Sequence, residues 1–541
     1  MQSFLEQRRI YKQLEKQIVI KHDQPEDVRT HERRYWYQAL EPRHTTREHL
    51  EREGDVERAD YDPSVQTDPY TINTRDTLGG NTDMMVTGIE RERPSRTSST
   101  DGESEMEKKK IILVTALTST RKLFNTSFEL ETVPTSVFLI GLGMGSMLTA
   151  PLSELAGRSP LYVICLPCFM LFDMEAGLSQ NVGQRIVCRG LAGLFGSAPL
   201  VCAAAALVDL WSIIERVYAF PYFVIITFLG PTFGPLPGGY INQTLFLSWQ
   251  WVDWVTVIVC GFLLLLVVLF LQETYSPIRL NWKAKQLRRL TGDDRYRAPM
   301  EFNRVYFPRR IALALGRPFV FYVGELIITI FSCYLGVIFV ILYTFSAGYV
   351  SIFEKVYHID QGRTGLCFLG ILVGVLASAL PVPLSMKYTR RDIYHARDRG
   401  LARPEPESNL YMAMFGAPAI SIGLFWMGWT AYPHISMWSL IISSVVFGFG
   451  VVCVFVSAYQ YVAAAYEYHP GSALASLQMF RLTAAGVMAV IADLMYNKLG
   501  PHWTLTVLGG IATVFLPVPY LLYIWGRKVR TWSRYAPTGE T

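Results

Sequence analysis

Long apolar runs separated by short polar segments fill the chain from residue 134 onward. Each run is close to the ~20 residues that a helix needs to cross a bilayer. In lipid such a run must be helical or part of a closed barrel, and these runs are too long for barrel strands. The pattern predicts eleven membrane-spanning helices, over 134–153, 160–179, 186–208, 217–238, 251–271, 319–345, 364–385, 411–431, 435–459, 472–496 and 503–526.

The first 110 residues have a different pattern. They contain no apolar run of spanning length and carry 19 basic against 23 acidic side chains. We expect them to form a polar, largely disordered cytoplasmic tail. The apolar stretch 111–117 resembles the start of a further helix, but 118–132 is too polar to complete it. We therefore interpret this segment as a truncated first span, produced by a deletion or a wrongly joined gene model.

This pattern divides the chain into five segments. They are the tail over 1–110, an N-terminal helix bundle over 111–271, a basic central loop over 272–318, a C-terminal helix bundle over 319–526 and a second tail over 527–541.

Basic residues indicate the orientation. Arg158, Arg216 and the basic residues of 272–318, 386–410 and 527–541 all fall on one side of the predicted spans. Loops rich in Lys and Arg stay in the cytoplasm, so we expect the C-terminus there, and the N-terminus as well if the first span is restored. We expect the plasma membrane as the location, with the vacuolar membrane as the alternative.

The composition excludes most soluble enzymes, because 51% of the residues are hydrophobic and 18% are charged. The net charge of +5 does not indicate nucleic-acid binding. Cys165 and Cys168 have no further ligands nearby in sequence, so we expect no metal site. The sequence has no phosphate-binding loop, which argues against an ATP-driven pump.

Charged residues stand at the end of the first clear span. Three alternate glycines, Gly141 to Gly145, are followed by Glu154 and Arg158. A carboxylate and a guanidinium at the membrane surface can form a bidentate pair that holds two helices and can break. The alternative is that the small residues only allow helices to pack closely.

Two further motifs lie inside the spans. Arg189 is several residues into an apolar run, where a charge costs about 2.5–3.5 kcal/mol, so we expect it to face a cavity or a partner. The alternative is a side chain that reaches back to the interface. The segment 230–239 holds three prolines and four glycines, which bend a helix and allow close approach.

These motifs, with further matches at 206–211, 472–475 and 523–537, resemble the major facilitator superfamily, in particular its fungal drug:proton antiporter branch, over about 130–537. The resemblance implies an all-α fold of two six-helix bundles around a cavity that opens alternately to the two sides. It implies a monomer in the lipid bilayer that exports drugs, toxins, secondary metabolites or polyamines. The proton gradient supplies the energy, and no cofactor is bound.

The resemblance also implies residue roles. Glu154, Arg158, Asp209 and Arg216 form a conformational charge network, and Arg189, Glu325 and Arg481 serve transport or proton coupling. The antiporter motif comprises Gly230, Pro231, Gly234, Pro235, Gly238 and Gly239.

Some positions depart from the family pattern. Gln250, Asn409 and Ala464 stand where the family usually has charged residues, and the first span is shortened. These departures motivate an alternative function, a transport-defective or ligand-sensing relative, or a truncated gene model of a transporter.

Proton coupling needs an intramembrane carboxyl group. Glu325 is the first choice because it lies in a long apolar run, and Asp173, Glu175 and Asp493 are further candidates. The alternative for Glu325 is a hydrogen bond that joins helices. Rings that could line a cavity for flat or cationic substrates, or else face lipid, are those of Tyr343, Phe345, Trp426, Trp429 and Tyr461.

Overall fold

The computed structural model describes residues 128–211, 213–243, 250–298, 301, 307–398, 405–466 and 470–533. Within these ranges the regular structure is helical, without a strand. The described residues fall into two compact units, one made of residues up to 275 and from 307 onward, the other of residues 276–301. The expectations for residues 1–127 and 534–541, including the truncated first span, lie outside the described residues.

The first half of the larger unit holds six helices. They are α1 (Phe128–Ala156), α2 (Arg158–Gly177), α3 (Val182–Leu210), α4 (Ile213–Phe233), α5 (Pro235–Gln243) and α6 (Trp251–Phe270). The smaller unit contains α7 (Ser276–Thr291), which ends in Arg288 and Arg289 and is followed by a turn at Gly292 with φ 66°. Within this unit Arg288 forms a bidentate pair with Glu301, at 2.5 and 2.7 Å.

The second half continues with α8 (Phe307–Gly324), α9 (Leu326–Lys355), α10 (Gln361–Cys367), α11 (Leu369–Ala377) and α12 (Val382–Asp398). A short 3-10 helix follows at Pro406–Asn409. The chain then forms α13 (Tyr411–Thr430), α14 (Met437–Ala465), α15 (Pro470–Phe515) and α16 (Val518–Arg530).

Ten stretches of the described residues are long and apolar enough to cross a membrane. They account for all eleven predicted runs, because the last stretch, Pro470–Arg530, contains two of them. Those two are separated inside α15 at Gly500, whose φ of 76° is outside the helical region and which precedes Pro501. The prediction of an all-α membrane fold is confirmed.

The predicted helix 319–345 is wrong at both ends. Helix α8 stops at Gly324, Glu325 is extended with φ −114° and ψ 106°, and α9 runs on to Lys355. Hydropathy could not reveal this break, because apolar residues continue on both sides of Glu325.

Alternate glycines of α1 pack closely against two different helices. A Cβ at Gly141 would lie 2.5 Å from the carbonyl oxygen of Gly190 in α3. A Cβ at Gly143 would instead lie 2.9 Å from the carbonyl oxygen of Met479 in α15. The predicted close packing is therefore present, with successive glycines facing opposite neighbours of α1.

Candidate functional site

Arg158 is the centre of a charge network at the end of the larger unit where α1 meets α2. We call this the predicted cytoplasmic end, and the opposite one the predicted outer end. Gly157, with φ 101°, turns the chain between the two helices. The Arg158 guanidinium donates to Asp209 of α3, from Nε at 2.9 Å and from a terminal nitrogen at 2.6 Å. It also donates to the Cys202 carbonyl at 3.1 Å, so α2 is tied to α3.

Glu273, which follows α6, completes this network. Its carboxylate accepts from the backbone N–H groups of Arg158 at 3.0 Å and Ser159 at 3.2 Å, the first residues of α2. A carboxylate at a helix N-terminus satisfies free donors and interacts favourably with the helix dipole. Tyr275 lies under the Arg158 guanidinium at 5.7 Å, and burial raises the pKa of Tyr275 to about 12. Sequence reasoning gave Glu273 no role.

The predicted pair between Glu154 and Arg158 is not formed in the described structure. Glu154 lies 3.7 Å from Arg317 of α8 and accepts from Ser472 of α15 at 3.4 Å. It therefore joins the two halves of the chain. Arg216, also predicted in this network, donates to the carbonyls of Trp211 at 3.0 Å and Val208 at 2.6 Å at the end of α3.

A second buried cluster surrounds Arg189 toward the predicted outer end. The Arg189 side chain is 2% exposed and donates to Asp173 of α2 at 2.9 Å. Its other terminal nitrogen donates to Asp253 Oδ1 in the first turn of α6. The expected partner of Arg189 is thus a pair of carboxylates from two helices. The sequence identified Asp173 as a candidate but not Asp253. Asp253 stands beside two tryptophans at the start of a span, a pattern that is typical of the membrane interface.

The two oxygens of Asp253 have different surroundings. Oδ1 pairs with Arg189, whereas Oδ2 is buried and accepts no hydrogen bond from the described residues. Gly177 at the end of α2 makes room for it, since a Cβ there would lie 3.4 Å from Oδ2. A carboxyl oxygen of this kind can carry a proton without losing a hydrogen bond. Glu175, in contrast, is exposed and accepts a weak contact from Cys188 Sγ at 3.7 Å.

Glu325 is buried but lies in the break between α8 and α9, at the predicted cytoplasmic end. It accepts from the Tyr466 hydroxyl at 2.8 Å and from the Ser533 hydroxyl. The expectation that it sits within a membrane helix is therefore not met, and its contacts fit the alternative of joining segments. Asp493, the other candidate of this half, accepts from Asn497 on the same helix at 2.8 Å.

Arg481 of α15 is as deeply buried as Arg189, at 2% exposed, but has no carboxylate within 4.0 Å among the described residues. Its Nε donates no hydrogen bond in that part of the chain. The guanidinium lies on aromatic rings, 4.4 Å from Phe339, 4.8 Å from Phe455 and 5.8 Å from Tyr459. A desolvated cation–π contact contributes about 2 kcal/mol, while a charge at the bilayer centre costs at least about 2.5–3.5 kcal/mol.

The predicted antiporter motif divides α4 from α5. Helix α4 ends at Phe233, Gly234 forms a turn and α5 begins at Pro235, while hydrogen bonds from the Gly234 and Gly238 N–H groups to the carbonyls four residues earlier, at 2.9 and 3.3 Å, continue across the boundary. The last glycine of the motif faces α10, because a Cβ at Gly239 would lie 2.7 Å from the carbonyl oxygen of Gln361. Conversely, a Cβ at Gly365 would lie 2.7 Å from the carbonyl oxygen of Pro235. The two halves thus touch backbone to backbone at the predicted outer end.

The described residues of the two halves enclose an inner cavity between α4, α9, α11 and α14 and a groove between α4 and α12. The inner one has a volume of about 20 Å³, and the residues lining it are uncharged, among them Pro231, Phe339 and Tyr343. That volume is close to the space of a single water molecule. The other is a groove of about 570 Å³ at the predicted cytoplasmic end, lined by Tyr218, Tyr222, Val382, Pro383, Met386, Lys387, Arg390, Arg391, Tyr394, His395 and Asp398.

Of the five rings predicted to line a cavity, only Tyr343 lines the inner one. Phe345 is 1% exposed and stacks on Phe447 with centroids 4.3 Å apart, and Tyr461 is fully buried beside Phe331. Trp426 and Trp429 are 38% and 57% exposed, on the outside of α13, as the lipid-facing alternative supposed.

Comparisons with known proteins agree on one family. A family model described as Major Facilitator Superfamily matches residues 110–484. The chain is 40% identical over 424 residues to the MFS-type transporter kojT of Aspergillus flavus, covering 78% of this chain and 75% of that protein. It is 33% identical over 420 residues to the citrinin biosynthesis cluster MFS transporter mrr1 of Monascus ruber, covering 77% of this chain and 83% of that protein.

Solved structures agree with the fold. The proton:xylose symporter XylE gives a TM-score of 0.58 at 13% identity, over 79% of this chain and 94% of that one. The human organic anion transporter MFSD10 gives a TM-score of 0.54 at 16% identity, over 79% of this chain and 99% of that one. At these identities the likeness concerns the fold alone.

Proposed function

This chain belongs to the major facilitator superfamily, and we propose that it is a proton-coupled antiporter that exports small organic molecules, of the secondary-metabolite or drug type, across a fungal membrane. It is a multi-pass membrane transporter and not an enzyme. The proposal concerns the coupling, the direction of transport and the class of cargo. We expect the plasma membrane as its location.

The buried cluster of Asp173, Arg189 and Asp253 supports proton coupling. One guanidinium directly contacts carboxylates from two other helices, and Asp253 Oδ2 has no donor among the described residues. This unoccupied oxygen is the observation on which the proposal rests. A proton on it would leave a neutral acid that attracts Arg189 less strongly.

Protonation of Asp253 can therefore change how α6 is held. With Asp253 charged, Arg189 ties α3 to both α2 and α6. With Asp253 neutral, Arg189 keeps Asp173 as its ionised partner and the bond to α6 weakens. A proton shifts a conformational equilibrium when the two conformations bind it with different affinity, and this exchange of partners supplies that difference.

The charge network of Arg158 holds helices together at the predicted cytoplasmic end, whereas the Arg189 cluster lies toward the predicted outer end. Arg158 and Asp209 hold α2 on α3, and Glu154 reaches Arg317 and Ser472 in the second half. Opening the predicted cytoplasmic end must break the Glu154 contacts. This network therefore stabilises the closed form of that end, while the Gly239–Gln361 contact stabilises the closed form of the other.

The experiment is transport by the full chain in liposomes that enclose a pH-sensitive dye. Under an imposed pH gradient, ethidium, spermidine and 2-naphthoate are supplied in turn, and proton and substrate fluxes are recorded together. The wild type should move one of these probes with a proton in the opposite direction. Asp253→Asn should retain exchange of that probe but lose its dependence on the gradient.

Glu175→Gln is the matched control, since Glu175 is an exposed carboxylate two residues from Asp173. It should behave as wild type. Transport by the wild type that ignores the pH gradient, or equal loss in both variants, would contradict the proposal. Binding of a probe without any flux would favour the ligand-sensing alternative.

A further inference from the structure

Arg481 lies well inside the apolar stretch that begins at Pro470 and is long enough to cross a membrane. It is eleven residues from the start of α15, which corresponds to about 16 Å of helix, near half of the ~30 Å hydrocarbon thickness. It is 2% exposed, and among the described residues no carboxylate lies within 4.0 Å of it. A permanent charge at this depth, without an ionised partner in the described structure, needs an explanation beyond packing.

The aromatic rings around Arg481 compensate the charge only in part. Phe339 and Phe455 cover the guanidinium at 4.4 and 4.8 Å, while Nε donates no hydrogen bond within the described ranges. Aromatic faces attract a cation but accept no charge-assisted hydrogen bond. The planar donors of the guanidinium therefore stay available to an anion, such as a carboxylate, whose oxygens they match.

Phe339 connects Arg481 to the seam between the two halves. The same ring that contacts the guanidinium also lines the inner cavity, together with Phe228 and Tyr343. The cavity volume of about 20 Å³ is too small for an organic molecule. Parting of the seam and rotation of Phe339 would open Arg481 to this cavity without unfolding any helix.

The groove at the predicted cytoplasmic end has a charge that suits an anion. Lys387, Arg390 and Arg391 of α12 line it, with Asp398 as the acidic member of the lining. A cleft with a surplus of one charge sign raises the local concentration of ligands of the opposite sign. The groove and Arg481 are separate observations, and both favour the same ligand charge.

We infer that the substrate is a small organic anion with a flat apolar body, whose anionic group binds Arg481 while its apolar body packs on Phe339 and Tyr343. This inference rests on the proposed function, because it names the substrate class of that transporter. The lining of the inner cavity contains no carboxylate that would pair with a cation.

The test is calorimetric binding of three probes that share one ring system to the full chain in detergent. They are 2-naphthoate, 2-naphthamide and 2-naphthylmethylamine, which are negative, neutral and positive at neutral pH. The wild type should bind 2-naphthoate at least tenfold more tightly than either of the others. Equal or undetectable binding of all three, or preference for the amine, would overturn the inference.

Substitution of Arg481 sharpens the test. Arg481→Gln should lower the affinity for 2-naphthoate about tenfold and leave that for 2-naphthamide unchanged, and Arg481→Lys should restore part of the preference. Arg363→Gln, at an exposed arginine of α10, is the matched control and should bind as wild type. Loss of both probes in equal measure by a variant that keeps its melting temperature would assign Arg481 a structural role and overturn the inference.

The binding assay uses no proton gradient, so it separates the two proposals. Selective binding of 2-naphthoate without gradient-driven flux would leave the substrate class standing and remove proton-coupled antiport. Gradient-driven flux of ethidium with no preference for the anion would leave proton-coupled antiport standing and remove the inferred substrate class.

Discussion

Arg189 and Arg481 are both 2% exposed inside apolar helices, yet they have opposite surroundings. Arg189 directly contacts two carboxylates, Asp173 and Asp253, from two neighbouring helices. Arg481 lies on the rings of Phe339 and Phe455, with no carboxylate within 4.0 Å in the described part of the chain. Equal burial therefore does not imply equal chemistry.

The difference concerns what each guanidinium can still bind. Arg189 contacts two carboxylates, and Arg185 also acts on Asp253, so we propose a proton as the mobile partner of this cluster. Arg481 contacts aromatic rings instead of carboxylates, so the partner that we infer for it is an anion. A transporter that exchanges protons for organic anions needs both environments, and it must keep them apart so that one does not neutralise the other.

The largest expected effect comes from Arg189→Gln. It removes the guanidinium that two buried carboxylates, Asp173 and Asp253, both contact, and breaking a buried pair in this way costs about 3–5 kcal/mol. Arg481→Gln removes a charge that has no carboxylate partner in the described structure, so its cost should be smaller. Melting temperatures of both variants in one detergent give the comparison, and equal losses would contradict it.

Substitutions in the packing of α1 on α3 should have the next largest effect on stability. A Cβ at Gly193 would overlap the carbonyl oxygen of Phe138, whereas one at Gly183, in the same helix, would have no atom of the described residues within 4 Å. Gly193→Ala should cost about 1–3 kcal/mol as an overpacked contact, and Gly183→Ala should be neutral or stabilising. The comparison fails if thermal unfolding shows the same shift for both.

A smaller effect is expected at the aromatic rings. A double-mutant cycle of Arg481→Gln and Phe339→Leu should give a coupling free energy of about 1–2 kcal/mol, because the ring stabilises the cation. Phe345→Leu, whose ring stacks on Phe447 instead, is the control and should show no coupling with Arg481→Gln. Coupling of equal size in the control would mean that the rings act through packing alone.

The smallest effect is expected at the half-buried ion pair between Arg288 and Glu301. The hydrogen bonds from Arg288 lower the pKa of Glu301 from its usual value of 4.5. A lowered carboxyl pKa stabilises the fold above pH 4.5, and this contribution is lost as the pH falls through the lowered value. Glu301→Gln should cost about 0–1 kcal/mol at pH 7, visible as faster hydrogen exchange in α7. Protection of α7 that is the same in Glu301→Gln and wild type at every pH would refute it.

The membrane helices could be predicted from sequence because hydropathy determines them directly. The break at Glu325 could not, since it depends on Tyr466 and Ser533, which lie 141 and 208 residues away. Arg189 stood out through its depth in an apolar run. Its partner Asp253 did not, because a carboxylate in the first turn of a span is ordinary until the packing of α6 on α2 is known.

Cavity-lining residues were the least predictable part. Helix α13 is apolar nearly all round, so its sequence gives no sign that Trp426 and Trp429 face outward. The glycines of α1 show the same limit, because their spacing indicated close packing but not that Gly141 and Gly143 serve different neighbours. In both cases the missing information is which helix lies on which side.

The contact between α5 and α10 joins main-chain atoms, through Gly239 and Gln361 on one side and Gly365 and Pro235 on the other. Side chains that line the inner cavity, such as Phe228, Ile371 and Val375, take no part in it. Mutations that change the shape of the inner cavity can therefore accumulate while the main-chain contact between α5 and α10 stays unchanged. A duplicated gene with this fold can therefore acquire a different substrate without any change in the contact that closes the predicted outer end.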